Sequence, residues 1–94
     1  IANKVGRVMA QLAKRYQIIA ITHLPQIAAK GSHHFRIFKE TAGDSTVSQV
    51  QKLDEGGRVM ELAHMLSGAD PSETAIQNAK ELIISGREAE APSP

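Results

Sequence analysis

The sequence predicts an α/β fold that consists of a helix, a buried strand of the parallel type, a short helix, a β-hairpin and a C-terminal pair of helices. Three observations support this prediction. Apolar residues recur at helical spacing near the start and again in the last third of the chain, which is typical of amphipathic helices. Residues 18–21 form a continuous apolar run, which is typical of a strand covered on both faces in a parallel sheet. Two stretches rich in strand-forming residues flank a turn at residues 41–44, which indicates an antiparallel hairpin.

The first helix is predicted over residues 2–15. Its apolar stripe, with members about one turn apart, consists of Val5, Val8, Met9, Leu12 and Tyr16. Gly6 lies inside this helix, where a glycine costs about 1 kcal/mol relative to alanine. A glycine at such a position often marks close packing of backbones.

A buried strand is predicted over residues 17–22, directly after the first helix. A helix followed by an apolar strand is typical of an α/β layer. Pro25 can open a short helix because the first helical position needs no backbone donor, and this helix is predicted to extend to Lys30. Gly31 is expected to end it.

The hairpin is predicted over residues 33–40 and 45–53. Val47 and Val50 are three residues apart, so the second strand departs from a strict alternation of apolar and polar side chains. We therefore expect a sheet edge or a bulge in this strand.

The next helix has a clear start and a clear end. Asp54 is expected to cap its first turn, and Gly68 is expected to end it. Its buried stripe is predicted to consist of Val59, Leu62, Ala63 and Leu66.

The last helix is predicted from a capping motif. Asp70 is expected to be the N-cap, Pro71 suits the first helical position, and Glu73 completes a capping box. The helix is predicted to end at residues 85–86.

The chain divides into a predicted folded part, residues 1–86, and a predicted disordered tail, residues 87–94. It begins at Ile1, inside a helical pattern that has no cap, so we expect it to be a piece of a longer protein. No apolar run approaches the roughly 20 residues that span a bilayer, so we expect no membrane-spanning segment.

Composition excludes several classes of site. The absence of cysteine excludes disulfide frameworks, thiolate metal sites and cysteine nucleophiles. Only three aromatic residues are present, which argues against a base-stacking module for single-stranded nucleic acid. The formal charge is +6 over residues 1–52 and −5 over residues 53–94. The basic half could contact phosphates and the acidic half a basic partner, whereas the simpler interpretation is two solvated faces that attract each other.

The best candidate site follows the predicted strand. Ligands of open α/β sheets bind beyond the carboxyl ends of the strands, and His23 lies at such a position. A neutral imidazole there can donate a hydrogen bond to a phosphate oxygen and accept one from water. Thr22 and Gln26 lie within reach of the same turn and are weaker candidates for binding the same ligand. The alternative is that His23 only satisfies loop carbonyls.

Other kinds of site are not supported by the sequence. Adjacent side chains on a strand point to opposite faces, so His33 and His34 cannot easily bind one metal ion, and His64 has no partner one turn along its helix. We therefore expect no metal site. The chain contains neither a serine-nucleophile motif nor the phosphate-binding pattern G-x-x-x-x-G-K-[ST]. These 94 residues alone are not expected to form a complete active site.

The segment around His23 resembles the switch-histidine segment of the RecN family, which are bacterial DNA-repair proteins of the SMC type. The matching strings are Ile19-Ala20-Ile21-Thr22-His23-Leu24-Pro25-Gln26-Ile27-Ala28, His33-His34-Phe35, Leu53-Asp54-Glu55, Arg58-Val59-Met60-Glu61-Leu62-Ala63 and Met65-Leu66-Ser67-Gly68. The resemblance extends from Val5 to about Ile84.

The resemblance implies the C-terminal part of an ABC-type ATPase head, with a P-loop NTPase-like fold, that acts in double-strand break repair and recombination. His23 matches the switch histidine, which contacts the γ-phosphate or positions the attacking water. The cofactors implied for the full-length protein are ATP and Mg²⁺, and the implied partners are a second head in a homodimer and DNA. The implied location is the cytoplasm, in association with the nucleoid.

The phosphate loop, the signature motif and the catalytic acid of that family are absent from this sequence. We therefore expect the isolated chain to be inactive. We also expect it to self-associate through its uncovered apolar strand. A small interaction module without nucleotide chemistry remains the alternative, and the coding sequence upstream of Ile1 would distinguish the two.

Overall fold

The computed structural model describes residues 1–68 and 70–90. The elements in chain order are α1 (Ala2–Leu12), α2 (Pro25–Ala28), β1 (Phe35–Ala42), β2 (Ser45–Lys52), α3 (Glu55–Ser67) and α4 (Glu73–Glu90). The predicted mixture of helices and strands is confirmed. Within the described ranges, no helix is both long enough and apolar enough to cross a membrane.

The core lies where α3 and α4 pack against each other and against the end of α2. Its buried apolar side chains are those of Ala29, Leu62, Ala63, Ala75, Ala79 and Ile83. Four of these six residues are alanines, so the helices approach closely around a small core. The predicted stripe of α3 is confirmed at Leu62 and Ala63, whereas Val59 is only partly buried and Leu66 is exposed.

The first turn of α3 begins as predicted. The backbone N–H of Gly57 donates to Asp54 Oδ1 at 2.7 Å, so Asp54 is the N-cap. At the other end Gly68 adopts a left-handed conformation with φ of 75°, and its N–H donates to the carbonyl of His64. Glycine is suited to this position because a side chain would be strained at positive φ.

The start and end of α4 differ from the prediction. The Ser72 hydroxyl accepts a hydrogen bond from the N–H of Ala75, and the Ser72 carbonyl accepts one from Ile76. Ser72 is therefore the N-cap, and the assignment of Asp70 was wrong, because α4 begins at Glu73 and its third amide is that of Ala75. Pro71 thus precedes the helix, and Glu73 is its first residue rather than part of a capping box. The helix also continues past residues 85–86 to Glu90. The expected tail thus begins inside α4, and its residues 91–94 lie outside the described part of the chain.

The predicted buried strand at residues 17–22 is absent, and this prediction was wrong. The segment has no strand partner, and the side chains of Ile19 and Ile21 are 84% and 91% exposed. The physical reason is that a strand buried on both faces needs neighbouring strands and covering helices. In the described part of the chain the only sheet is the β1–β2 hairpin, whose two strands pair with each other.

Helix α1 is also less covered than its pattern predicts. It ends at Leu12 rather than residue 15. Most of its apolar stripe is exposed, namely Val5, Val8, Leu12 and Tyr16. The single buried residue of α1 is Gly6. Its close neighbour is the side chain of Lys30, whereas the nearest backbone atom, the carbonyl oxygen of Gln26, would lie at an ordinary 3.6 Å from an added Cβ.

The hairpin is regular. Its strands pair residue for residue from Phe35 opposite Lys52 to Ala42 opposite Ser45, so the second strand has no bulge. In a two-stranded sheet both strands are edges, so the expected edge is present. Gly43 occupies the turn with φ of 63°. One face remains exposed and apolar, with the side chains of Phe35, Ile37 and Val50.

Candidate functional site

His23 lies between the exposed segment 17–22 and helix α2, and its side chain is exposed. The backbone N–H of Leu24 donates to Thr22 Oγ1 at 3.0 Å, which bends the chain around His23. Pro25 begins α2 directly afterwards, as predicted. This short turn therefore presents the imidazole to solvent at the end of an extended apolar segment.

The three candidate residues lie in one five-residue stretch of the chain. Thr22 and Gln26 are half-buried, and the Thr22 hydroxyl accepts the hydrogen bond from the Leu24 N–H that forms the turn. Among the described residues no hydrogen bond joins the side chain of His23 to that of Thr22 or Gln26. The three residues are thus close together in the chain, and the imidazole of His23 is exposed where a ligand could contact it.

The end of α2 is held by a buried arginine that sequence reasoning missed. Arg58, in the first turn of α3, is 5% exposed. Its Nη2 donates to the carbonyls of Ala29 at 2.9 Å and Ala28 at 3.2 Å, and also to that of Gly31. A pattern could have indicated its burial, because Arg58 precedes Leu62 by four residues on the buried face of the helix.

Two glycines bring further helices against the same segment. At Gly86 of α4, an added Cβ would lie 2.6 Å from the carbonyl oxygen of Ala29. At Gly6 of α1, an added Cβ would lie 2.7 Å from Cδ of Lys30. Helices α1, α3 and α4 therefore all pack against residues 25–31. A cleft of about 180 Å³ remains beside Arg58.

Several polar and charged side chains lie around the start of the hairpin. Burial is the main cause that lowers the pKa of His34, and the positive charge of Arg58 lowers it further, whereas Glu61 acts in the opposite direction. The Nδ1 atom of His34 is buried without a hydrogen-bond partner in the described structure. Arg36 approaches Glu61 at 3.7 Å and lies over the ring of Phe38 at 4.7 Å. Of these contacts, the Arg36–Glu61 ion pair links the hairpin to α3.

Metal ligation finds no support in this arrangement. Across residues 1–68 and 70–90, no group of three or more His, Asp or Glu side chains is placed to hold a metal ion. His33 is exposed, while the neighbouring His34 is half-buried.

No protein-family model matches the chain. Curated relatives do match, among them several that carry the name DNA repair protein RecN. The protein from Vibrio cholerae is 40% identical over 83 residues, which is 88% of this chain. That from Haemophilus influenzae is 38% identical over 82 residues, or 87% of the chain, and that from Streptomyces coelicolor is 41% identical over 86 residues, or 92%.

The chain spans only 15% of the length of each of these relatives. The similarity nevertheless covers the candidate site and most of the helical core, because at most 13% of the chain lies outside each match. The resemblance expected from the residues around His23 is thereby confirmed. The chain belongs to the RecN family and corresponds to its C-terminal part.

Proposed function

We propose that this chain is the C-terminal part of an ABC-type ATPase head in a protein that acts in DNA double-strand break repair and recombination. Within that head His23 serves as the switch histidine. The observation that carries this proposal is the exposed imidazole of His23 at the end of an exposed apolar segment, in a chain similar to RecN proteins.

The exposed segment supports the proposal because it is costly to leave in water. Ile19 and Ile21 are almost fully exposed. Burying one such side chain is worth about 1.5–3 kcal/mol, so a covering surface in the longer protein would be strongly favoured. The neighbouring strands of a P-loop NTPase-like sheet would supply that surface. His23 would then lie beyond the carboxyl end of a covered strand, where α/β folds bind ligands.

The chemistry of the residue suits phosphoryl transfer. Such reactions depend mostly on positioning and on stabilising charge at the transferred phosphate. The His23 imidazole can donate to a phosphate oxygen or orient a water molecule, since one ring nitrogen donates while the other accepts. Thr22 shapes the turn through its hydroxyl, and the Gln26 amide is a weaker candidate for contacting the nucleotide.

ATP and Mg²⁺ are the proposed cofactors, and they would be held largely by parts of the longer protein. This chain supplies none of the phosphate-cradling glycine pattern, so its own share is the polar group around His23. A second head in a homodimer would complete each nucleotide site, and DNA would be bound through the full-length protein. The proposed location is the cytoplasm, in association with the nucleoid.

Replacing His23 in the full-length protein tests the assignment. His23→Ala is expected to lower kcat for ATP hydrolysis by about 100-fold, the typical cost of removing one donor from a transition-state site. ATP affinity should change much less, because the phosphate loop supplies most of the binding. His33→Ala is the matched control, since His33 is also exposed. Parent-like hydrolysis by His23→Ala would show that the switch assignment is wrong.

The alternative is a small interaction module that performs no nucleotide chemistry. Its support is the exposed apolar face formed by Phe35, Ile37 and Val50 on the hairpin. The two proposals differ in what precedes Ile1 in the coding sequence. A G-x-x-x-x-G-K-[ST] motif far upstream and an apolar run ending in Asp-Glu immediately before Ile1 support the ATPase, and their absence supports the module.

A further inference from the structure

We propose that Arg58 is a positioning residue for His23, and that it acts by fixing the carboxyl end of helix α2. This inference rests on the proposed ATPase function. Arg58 itself lies on α3 and is buried, so it does not contact the nucleotide in this arrangement. Its effect on the reaction would pass through the backbone of residues 25–31.

The contacts are unusually concentrated. One nitrogen of Arg58, Nη2, donates to the carbonyls of Ala28, Ala29 and Gly31. Carbonyls at and just beyond the end of a helix carry partial negative charge and lack the full set of helical partners, so a guanidinium there is a favourable donor. The Ala28 carbonyl also accepts from the N–H of Gly31 at 3.4 Å. Burying a cation is costly unless such partners surround it. The three carbonyls therefore stabilise the buried charge of Arg58, and Arg58 in turn holds the three carbonyls in place.

Helix α2 is short enough to transmit this restraint to His23. It contains four residues, and only Leu24 separates it from the imidazole. The carbonyl of Leu24 accepts from the N–H groups of Ile27 and Ala28, both at 3.1 Å. The turn at His23 and the carbonyls held by Arg58 therefore lie at the two ends of one short hydrogen-bonded unit, in which α2 itself is about 6 Å long at 1.5 Å per residue.

The opposite side of His23 offers no comparable restraint. Segment 17–22 has no strand partner within the described residues. Within this chain the restraint on His23 therefore comes from the α2 side, and Arg58 is the one charged residue that is buried against that helix in the described structure. A misplacement of about 1 Å at a reacting group can cost about 100-fold in rate.

The test measures ATP hydrolysis by the full-length protein. Arg58→Met keeps most of the side-chain volume and removes the donors, and it is expected to lower kcat about 10- to 100-fold with KM for ATP nearly unchanged. Arg87→Met is the matched control, because Arg87 lines the same cleft but is exposed and pairs with Glu55. Parent-like kcat in folded Arg58→Met protein overturns the inference.

A double substitution separates positioning from general loss of structure. If Arg58 acts through His23, Arg58→Met should have little further effect in a protein that already carries His23→Ala. A full additional loss of kcat in that background overturns the inference. If His23→Ala itself leaves kcat unchanged, the proposed function fails, and this result differs from a failure of the Arg58 step alone.

Arg58→Lys covers the case in which the methionine variant does not fold. Lysine retains the charge and three donors on one nitrogen, but its side chain is shorter, so its ammonium group cannot take the place of Nη2 beside all three carbonyls. We expect kcat about 3- to 10-fold below the parent, again only when His23 is present, since the donors lie less favourably. An Arg58→Lys protein with parent-like kcat, or with the same loss in the absence of His23, overturns the inference.

Discussion

Replacing Gly86 by alanine tests how tightly α4 packs against the end of α2. The new Cβ would lie 2.6 Å from the carbonyl oxygen of Ala29 and 3.3 Å from both its carbonyl carbon and Cα of Lys30. All three atoms belong to the backbone, so no flexible side chain can move aside. Overpacking of this kind typically costs about 1–3 kcal/mol. The gain in helix propensity from glycine to alanine offsets about 1 kcal/mol of that cost.

The matched control is Gly56→Ala in the first turn of α3. There the nearest atom to the new Cβ is Asp54 Oδ1 at 3.8 Å, which is an ordinary contact. This variant should gain up to about 1 kcal/mol from helix propensity alone. Urea unfolding should therefore show Gly86→Ala to be about 1–3 kcal/mol less stable than Gly56→Ala, which is the cost of the clash. Equal stability of the two variants would refute the close approach of α4 to Ala29.

Three further predictions concern the isolated chain. Its stability should fall as the pH is lowered through about 6.5, the usual pKa of histidine, because the lowered pKa of folded His34 means that the unfolded chain binds more protons. Urea midpoints at several pH values measure this, and His34→Gln should remove the slope that His34 contributes. The chain should show no ATP binding, because it lacks a phosphate loop, and calorimetry that gave micromolar affinity would contradict this. It should self-associate through Ile19 and Ile21, and light scattering that showed a clean monomer at tens of micromolar would contradict that.

Local features of the sequence predicted both ends of α3 well, because the residues that form them act within one turn of the chain. The Asp54 cap needs only an amide three residues away. Gly68 needs only its own backbone angle. Leu62 and Ala63 find their partners on α4, which follows directly in the chain. Apolar periodicity predicts burial correctly at these two positions, since the surface that buries them is part of the same chain, whereas Leu66 of the same predicted stripe is exposed.

The same periodicity failed where the covering surface is not among the described residues. The stripe of α1 and the run at residues 17–22 are as apolar as the pattern requires, yet both are exposed. A pattern of this kind reports that a face is apolar, and it does not identify what covers that face. The role of Arg58 was missed for a different reason. Its spacing from Leu62 indicates a buried position, but it does not reveal that the side chain binds backbone carbonyls 27 to 30 residues away.

His23 lies between a segment that packs against three helices, residues 25–31, and a segment whose apolar side chains are exposed, residues 17–22. On its carboxyl side, residues 25–31 accept hydrogen bonds from Arg58 and pack closely against Gly86 and Gly6. On its amino side, residues 17–22 make no strand contacts. A ligand-binding residue placed at such a boundary has one side fixed in advance by its own chain. The other side depends on a surface that the described residues do not supply, so we expect substitutions at Arg58 to act on the imidazole even before that surface is in place.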